Sequence, residues 1–234
     1  MKTTTCSFLG LFLFFSAVTG SAQEVFRFYE NGKVGYKKSS GEIIVPASYA
    51  AGSEMFGNYA IVLDGQKRGY INDKGEVIIP FIYDDASVFS NSLAHVMKGN
   101  KNGYINMNGE TIIPFVYDFA GDFKNGLARV EKDDKWGFID ASGKVVIELQ
   151  YRNALDFAEG LAPVMTEQDN WGYIDATGKF ILQPKYLQAE CFVNGEAMIR
   201  IGDKFYLINK NGKKLRELKN EEEEEREREM KSEK

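Results

Sequence analysis

The sequence predicts an all-β chain of six tandem three-stranded β-meanders, each about 34 residues long. Two observations carry that expectation. A short segment running from a glycine and an aromatic residue to a second glycine recurs six times in nearly constant register. Glycine is also abundant for an ordered chain, 23 of 234 residues against only 5 prolines, which calls for many tight turns and so many short strands.

The recurring segments are Gly35–Gly41, Gly69–Gly75, Gly103–Gly109, Gly137–Gly143, Gly172–Gly178 and Tyr206–Gly212, with starts 34, 34, 34, 35 and 34 residues apart. Self-similarity at one fixed period marks a tandem-repeat architecture. Within a unit, the first strand is the apolar run Leu127–Val130 and its counterparts Leu93–Val96 and Leu161–Val164. A polar turn, Lys132–Lys135, leads to the second strand, Trp136–Asp140, and a second turn leads to the third, Lys144–Ile147. The glycines at 41, 75, 109, 143, 178 and 212 stand where a type I turn closing in a bulge needs a residue at positive φ. Asn72, Asn106, Asp140, Asp175 and Asn209, three residues earlier, are placed to hydrogen-bond the turn backbone. Val25–Phe28 supplies the first strand for the hairpin at Gly35, and Glu196–Ile199 does so for the hairpin at Tyr206. Six meanders therefore account for residues 23–218 and leave no room for a second folded domain.

A connector of about a dozen residues joins the meanders. Tyr recurs at 49, 83, 117, 151 and 186, a small residue at Gly52, Ala86, Ala120, Ala154 and Ala189, and Phe at 89, 123, 157 and 192, with Met55 in the first unit. The +0, +3, +6 spacing predicts a short turn of helix capping the core, with the recurring Tyr as a wedge whose hydroxyl pairs with backbone. An aromatic binding stripe is the functional alternative. The core role is favoured because so small a unit must stack on its neighbours to bury its apolar surface. A propeller blade usually has four strands and this unit offers three. That count favours an open superhelical array, with a closed six-bladed propeller-like ring as the alternative.

The stretches Lys135-Trp-Gly-Phe-Ile-Asp and Asn170-Trp-Gly-Tyr-Ile-Asp, each closed by Gly-Lys and followed by Tyr and then Phe-x-x-Gly, resemble the WG (KWG) repeat over residues 25 to about 216. The resemblance implies an exported bacterial repeat scaffold, because no reaction is common to that family. The chain departs from the family pattern at the Trp itself, where Val34, Arg68, Asn102 and Phe205 stand in four of the six units, and at Glu148, which replaces Pro.

The ends differ from the middle. Residues 1–22 read as a secretory signal: Lys2, an apolar run from Phe8 to Val18, then Gly20-Ser21-Ala22 before a cut at Gln23. A run this short does not cross about 30 Å of hydrocarbon, and no later segment spans a membrane. The expected location is secreted or periplasmic. Residues 219–234 are densely charged, with Glu221–Glu225 followed by alternating Arg and Glu, and read as a solvated helix or as disorder.

Composition narrows the chemistry. A hydrophobic content of 44% and a charged content of 27% fit a globular chain, and a net charge of −5 argues against a general nucleic-acid binder. One His and two Cys exclude most zinc sites and a disulfide-rich scaffold, and Cys191 reads as a buried residue. Neither a nucleophile elbow nor a phosphate-binding loop is present, and the turn acids lack the spacing of a calcium loop. No cofactor or metal is expected. The acidic pairs Asp84-Asp85 and Asp133-Asp134 lie where neighbours diverge or face water, so neither reads as an acid/base couple. The resulting expectation is a non-catalytic scaffold that binds a protein or cell-envelope glycan, the alternative being a glycan hydrolase on a toroidal scaffold. The candidate ligand-binding residues are Trp136 and Trp171. Their repeat position accepts Arg68 and Asn102, costly groups to bury unpaired, which predicts at least partial exposure.

Overall fold

A computed structural model describes residues 24–218. These form strands, turns and connectors throughout. The described residues divide into two compact units, residues 24–123 with 141–143, and residues 124–140 with 144–218.

In the first unit, β1 (Val25–Glu30), β2 (Lys33–Lys38) and β3 (Ile43–Tyr49) form a three-stranded antiparallel sheet. Two four-stranded sheets follow. One holds β4 (Ala51–Gly52), β5 (Tyr59–Asp64), β6 (Lys67–Asn72) and β7 (Val77–Tyr83). The other holds β8 (Asp85–Ala86), β9 (Leu93–Lys98), β10 (Lys101–Asn106) and β11 (Thr111–Tyr117), and the two-residue strand β12 (Phe119–Ala120) comes next in the chain. In the second unit, β13 (Leu127–Lys132), β14 (Lys135–Asp140) and β15 (Val145–Tyr151) form a meander. Two four-stranded sheets complete it: β16 (Asn153–Ala154), β17 (Ala162–Met165), β18 (Trp171–Ile174) and β19 (Phe180–Tyr186), then β20 (Gln188–Ala189), β21 (Glu196–Ile201), β22 (Lys204–Asn209) and β23 (Lys214–Leu218). All six expected meanders are present, and short strands from the connectors add to them.

The turn chemistry explains the hairpins. The first turn of a unit is a two-residue loop with both residues at positive φ at Asn31-Gly32, Gly99-Asn100 and Asp133-Asp134, the type I′ geometry that matches strand twist. The second turn closes on the predicted glycines: Gly109 has φ 78° and donates its N–H to the Asn106 carbonyl at 2.9 Å. The Asn106 Oδ1 accepts the N–H groups of Asn108 and Glu110, both at 3.0 Å, and Asn72, Asp175 and Asn209 make the same pair of bonds.

The glycine that opens the motif has a different reason. Between Gly103 and β11 the register jumps, because Asn102 faces Tyr117 while Tyr104 faces Ile113, so three residues oppose one. The backbone folds tightly over that point, and a Cβ on Gly103 would lie 2.6 Å from the Ile113 carbonyl oxygen. The carbonyls of Val45, Ile79, Ile147 and Leu182 crowd Gly35, Gly69, Gly137 and Gly172 in the same way, at 2.6–2.7 Å.

The connectors correct one expectation. They are extended, with no helical turn, and their amides bond to the following first strand: Asp84 to the Met97 carbonyl and Ser87 to that of His95, Arg152 to Met165 and Leu155 to Pro163. A single helical turn makes few bonds for the residues it fixes, whereas a waiting strand edge satisfies the backbone at every second or third residue. The small residue at Ala86, Ala154 or Ala189 sits in the short strand against Val96, Val164 or Ile199.

Within each unit, adjacent sheets bury one another's faces. Val34, Tyr36 and Val45 pack on Ala60, Val62 and Ile71, and Tyr59, Tyr70, Ile79 and Tyr83 pack on Ala94, Val96 and Ile105. In the second unit Tyr173, Leu182, Tyr186 and Phe192 pack on Ala197, Ile199 and Ile208. Phe123, Phe157 and Phe192 are buried, and their rings stand 4.8–5.0 Å from Tyr104, Phe138 and Tyr173, so the recurring aromatics are core and not a binding stripe. The hydroxyl-to-backbone bond expected of the connector Tyr belongs instead to the Tyr after the motif glycine: Tyr36, Tyr70, Tyr104 and Tyr173 donate to the carbonyls of Ser53, Ser87, Gly121 and Glu190. Burial pushes these tyrosines at 36, 70 and 173 far above the ordinary phenol range.

Candidate functional surfaces

Trp136 is 7% exposed and lies under the Arg129 guanidinium, 5.3 Å from its ring centre, so it is no exposed platform. Trp171 is half-buried and packs against the core cluster around Tyr173. The position tolerates Arg68 and Asn102 for a local reason. Arg68 pairs with Asp85 at 2.9 Å, and Asn102 donates to the Asp118 carbonyl at 3.0 Å, so neither polar head is stranded.

A pair of positions that sequence reading missed is chemically matched in unit after unit. The first-strand residue opposite the motif aromatic is Arg27, Ile61, His95, Arg129 or Pro163. The connector residue 27 or 28 positions later is Glu54, Val88, Asp122, Asp156 or Cys191. Arg27 pairs with Glu54 at 2.7 Å, His95 Nδ1 stands 3.5 Å from Asp122, and Arg129 pairs with Asp156 at 2.7 Å. Ile61 and Val88 share one apolar cluster, and Pro163 and Cys191 are both buried. Cation faces anion, or apolar faces apolar. The signal was available at a spacing of 27 or 28 residues, which no single strand or turn displays. Arg129 is 3% exposed, and its Nη1 also donates to the Ala154 carbonyl at 2.8 Å, so this pair belongs to the core.

The remaining acids have structural work. Asp84 accepts from Lys67 and from the Gly99 N–H, which hold its carboxyl below the usual carboxylate range. Asp133 and Asp134 form a turn. Lys135 and Arg152 occupy the places that Lys67 and Asp84 hold two units earlier, and as like charges they turn instead to Glu167 and Asp169. Both acids come from the loop that carries the single extra residue of the 35-residue spacing. Among the described residues no group of three or more His, Cys, Asp or Glu gathers as a metal site. No helix among them is long and apolar enough to cross a membrane.

One surface feature repeats. The residue bulged out just after the second turn is Ile44, Ile78, Ile112, Val146, Ile181 or Leu215, apolar in all six units. The last five are 37–44% exposed.

Residues 69–101, 103–136, 136–168 and 171–205, more than half the chain, match the WG containing repeat. The chain belongs to the WG-repeat family. No curated protein matches it. Among solved structures, the WG-repeat chain aligns with BamB from Moraxella catarrhalis at 10% identity over 83% of this chain and 69% of that one, TM-score 0.47. Hsv2 from Kluyveromyces lactis aligns at 10% identity over 87% and 74%, TM-score 0.48. The computationally designed Ika8 protein aligns at 9% identity over 86% and 76%, TM-score 0.47.

Proposed function

We propose that this WG-repeat chain is a non-catalytic, exported scaffold that binds a partner through its surface, and that the partner is a protein. The observation that carries the reading is the outward residue of the second bulge, apolar in every unit and exposed in five. A solvent-facing position with no role in contact has no reason to stay aliphatic through six repeats, and repeated exposed apolar positions mark interaction surfaces. These aliphatic residues favour a protein over a glycan, because sugars stack on flat rings and the candidate ring of Trp136 is buried. Trp171, half-buried on β18, remains a proposed contact. The export signal read at residues 1–22 lies outside the described residues, as does the charged tail, and secretion or periplasmic residence is part of the proposal.

The test is a variant with Ile78, Ile112, Val146 and Ile181 all changed to Ser. Exposed substitutions of this kind leave stability within about 0.5 kcal/mol each. Cross-linking to envelope proteins in cells that make this chain should fall at least tenfold in the variant, with export unchanged. Cross-linking at full strength would remove the reading.

A further inference from the structure

Each unit's third strand ends its sheet, so β3, β7, β11, β15, β19 and β23 present unpaired backbone on one side. Exposed strand edges invite pairing with other chains, and proteins blunt them with prolines, bulges and charge. Five of the six edges carry the two-residue bulge opposite the motif glycine, and Pro46, Pro80, Pro114 and Pro184 stand in four of those bulges. The sixth lacks this bulge and its proline, and its edge carries charge at Lys214, Arg216 and Glu217 instead. Tyr206 replaces the glycine, Phe205, Tyr206 and Leu207 face Leu218, Glu217 and Arg216 in unbroken register, and β23 has no proline.

From this exception we propose that β23 is an acceptor edge onto which a protein partner adds an extended segment as a further strand. The proposal rests on the scaffold reading and names the partner's chemistry. Added strands gain affinity from main-chain hydrogen bonds and specificity from alternate side chains. The side chains of β23 specify the incoming pattern. Lys214 lies 3.5 Å over the Tyr206 ring, Glu217 is paired with Lys204 at 2.7 Å, and the exposed Arg216 has no acidic partner among the described residues. Leu215 is 44% exposed. An incoming strand therefore places carboxylates against Arg216 and Lys214 and an aliphatic residue against Leu215, because directly opposed cross-strand pairs of opposite charge or matched apolarity are the stabilising ones. The partner segment is extended, acidic and alternately aliphatic.

The probe is a blocked nine-residue peptide of alternating Glu and Val, followed by hydrogen exchange of the full chain. The expected result is saturable slowing of exchange confined to the β23 amides that point away from β22. Consecutive amides in regular register point to opposite sides of a strand, as they do from Arg216 to Leu218. One of Arg216→Pro and Glu217→Pro therefore removes an outward N–H; that variant keeps its melting temperature and loses the protection at least tenfold. Arg216→Glu should reverse the preference toward a Lys and Val peptide. No protection at β23 would overturn the proposal. So would β23 amides already protected in the free monomer, which would mean that the chain covers its own edge, or protection that grows with protein concentration alone, which would mean that a second copy does. The Ile78, Ile112, Val146 and Ile181 variant separates the readings: cross-linking lost there with no peptide effect at β23 leaves the scaffold reading standing and this proposal false.

Discussion

The second and fourth repeats run the same backbone course with opposite chemistry. In the second, Ile61 and Val88 meet inside an apolar cluster, and Lys67 pairs with Asp84. In the fourth, Arg129 and Asp156 meet as a buried ion pair at the first of those places, and Lys135 and Arg152 share the second. Both keep their motif glycines, Gly69 and Gly137, each crowded by a carbonyl oxygen 2.6 Å from where a Cβ would stand. The contrast separates two kinds of constraint. A position fixed by approach of backbone to backbone admits one residue type. A position fixed by side-chain pairing admits any pair that matches, so it varies freely as long as both members change together.

The largest test of that distinction breaks one member of the fourth repeat's pair. Arg129→Ile leaves Asp156 buried without its cation and should cost about 3–5 kcal/mol in urea unfolding at neutral pH. Arg129→Ile with Asp156→Val copies the second repeat's solution and should return stability to within about 1 kcal/mol of the parent, because a matched apolar pair replaces a buried ion pair without loss. A double variant as unstable as the single one would show that the two repeats are not interchangeable at this place.

Next in size are the glycines. Gly69→Ala and Gly137→Ala should each cost about 2–3 kcal/mol, and by the same amount, since the obstacle in both is a carbonyl that cannot move without its strand. Tyr206→Leu, at the corresponding place where the sixth hairpin has no such bulge, should cost less than about 1 kcal/mol. Unequal costs at Gly69 and Gly137 would tie the glycine to its side-chain surroundings instead of to the bulge.

These two tests also mark what the sequence disclosed. The turn glycines and the Asn or Asp three residues before each were legible, because turn chemistry is local and recurs at fixed offsets. The motif glycine was visible as a repeat landmark, but its cause was not, since the crowding carbonyl of Ile79 or Ile147 belongs to a strand whose register is irregular. The connectors were misread because +3 spacing suits both one helical turn and an extended chain with a kink, and only the edge offered by the next first strand decides between them. Trp136 was misplaced by a sound rule applied to the wrong case. Arg68 and Asn102 at its repeat position are partly exposed, as is Trp171, but Arg129 lies over Trp136, so the exposure of one unit did not carry over to that one.

Smaller effects sharpen the comparison at the second place. Glu167→Gln and Asp169→Asn remove the acids that Lys135 and Arg152 borrow from the extended loop. Each should cost about 0.3–1 kcal/mol at low salt, since all four side chains are at least 40% exposed and exposed pairs are weak. The losses should shrink as salt rises toward 1 M, where screening acts within about 3 Å. A loss independent of salt would mean that the acids order the loop through contacts other than charge.

The smallest effect is a difference in pH response between the same two places. Asp84 is held below its ordinary pKa by the Lys67 ammonium, which donates to it, and by the Gly99 N–H. A carboxyl whose folded pKa is depressed contributes stability that is fully present above its unfolded value, about 3.9, and is lost as pH falls through the folded value. Asp84→Asn should therefore lower the melting temperature slightly at pH 7, and the gap between variant and parent should close as pH falls below about 3.9. Arg152 stands in the corresponding place and pairs with Asp169, so Arg152→Ala supplies the reference gap for the fourth repeat. Melting temperatures of the two variants and the parent from pH 2.5 to 7 decide the matter. A gap for Asp84→Asn that persists at the acid end would show that Asp84 acts as a packed polar group and not as the charged half of a pair, and the second repeat would then differ from the fourth in kind and not only in sign.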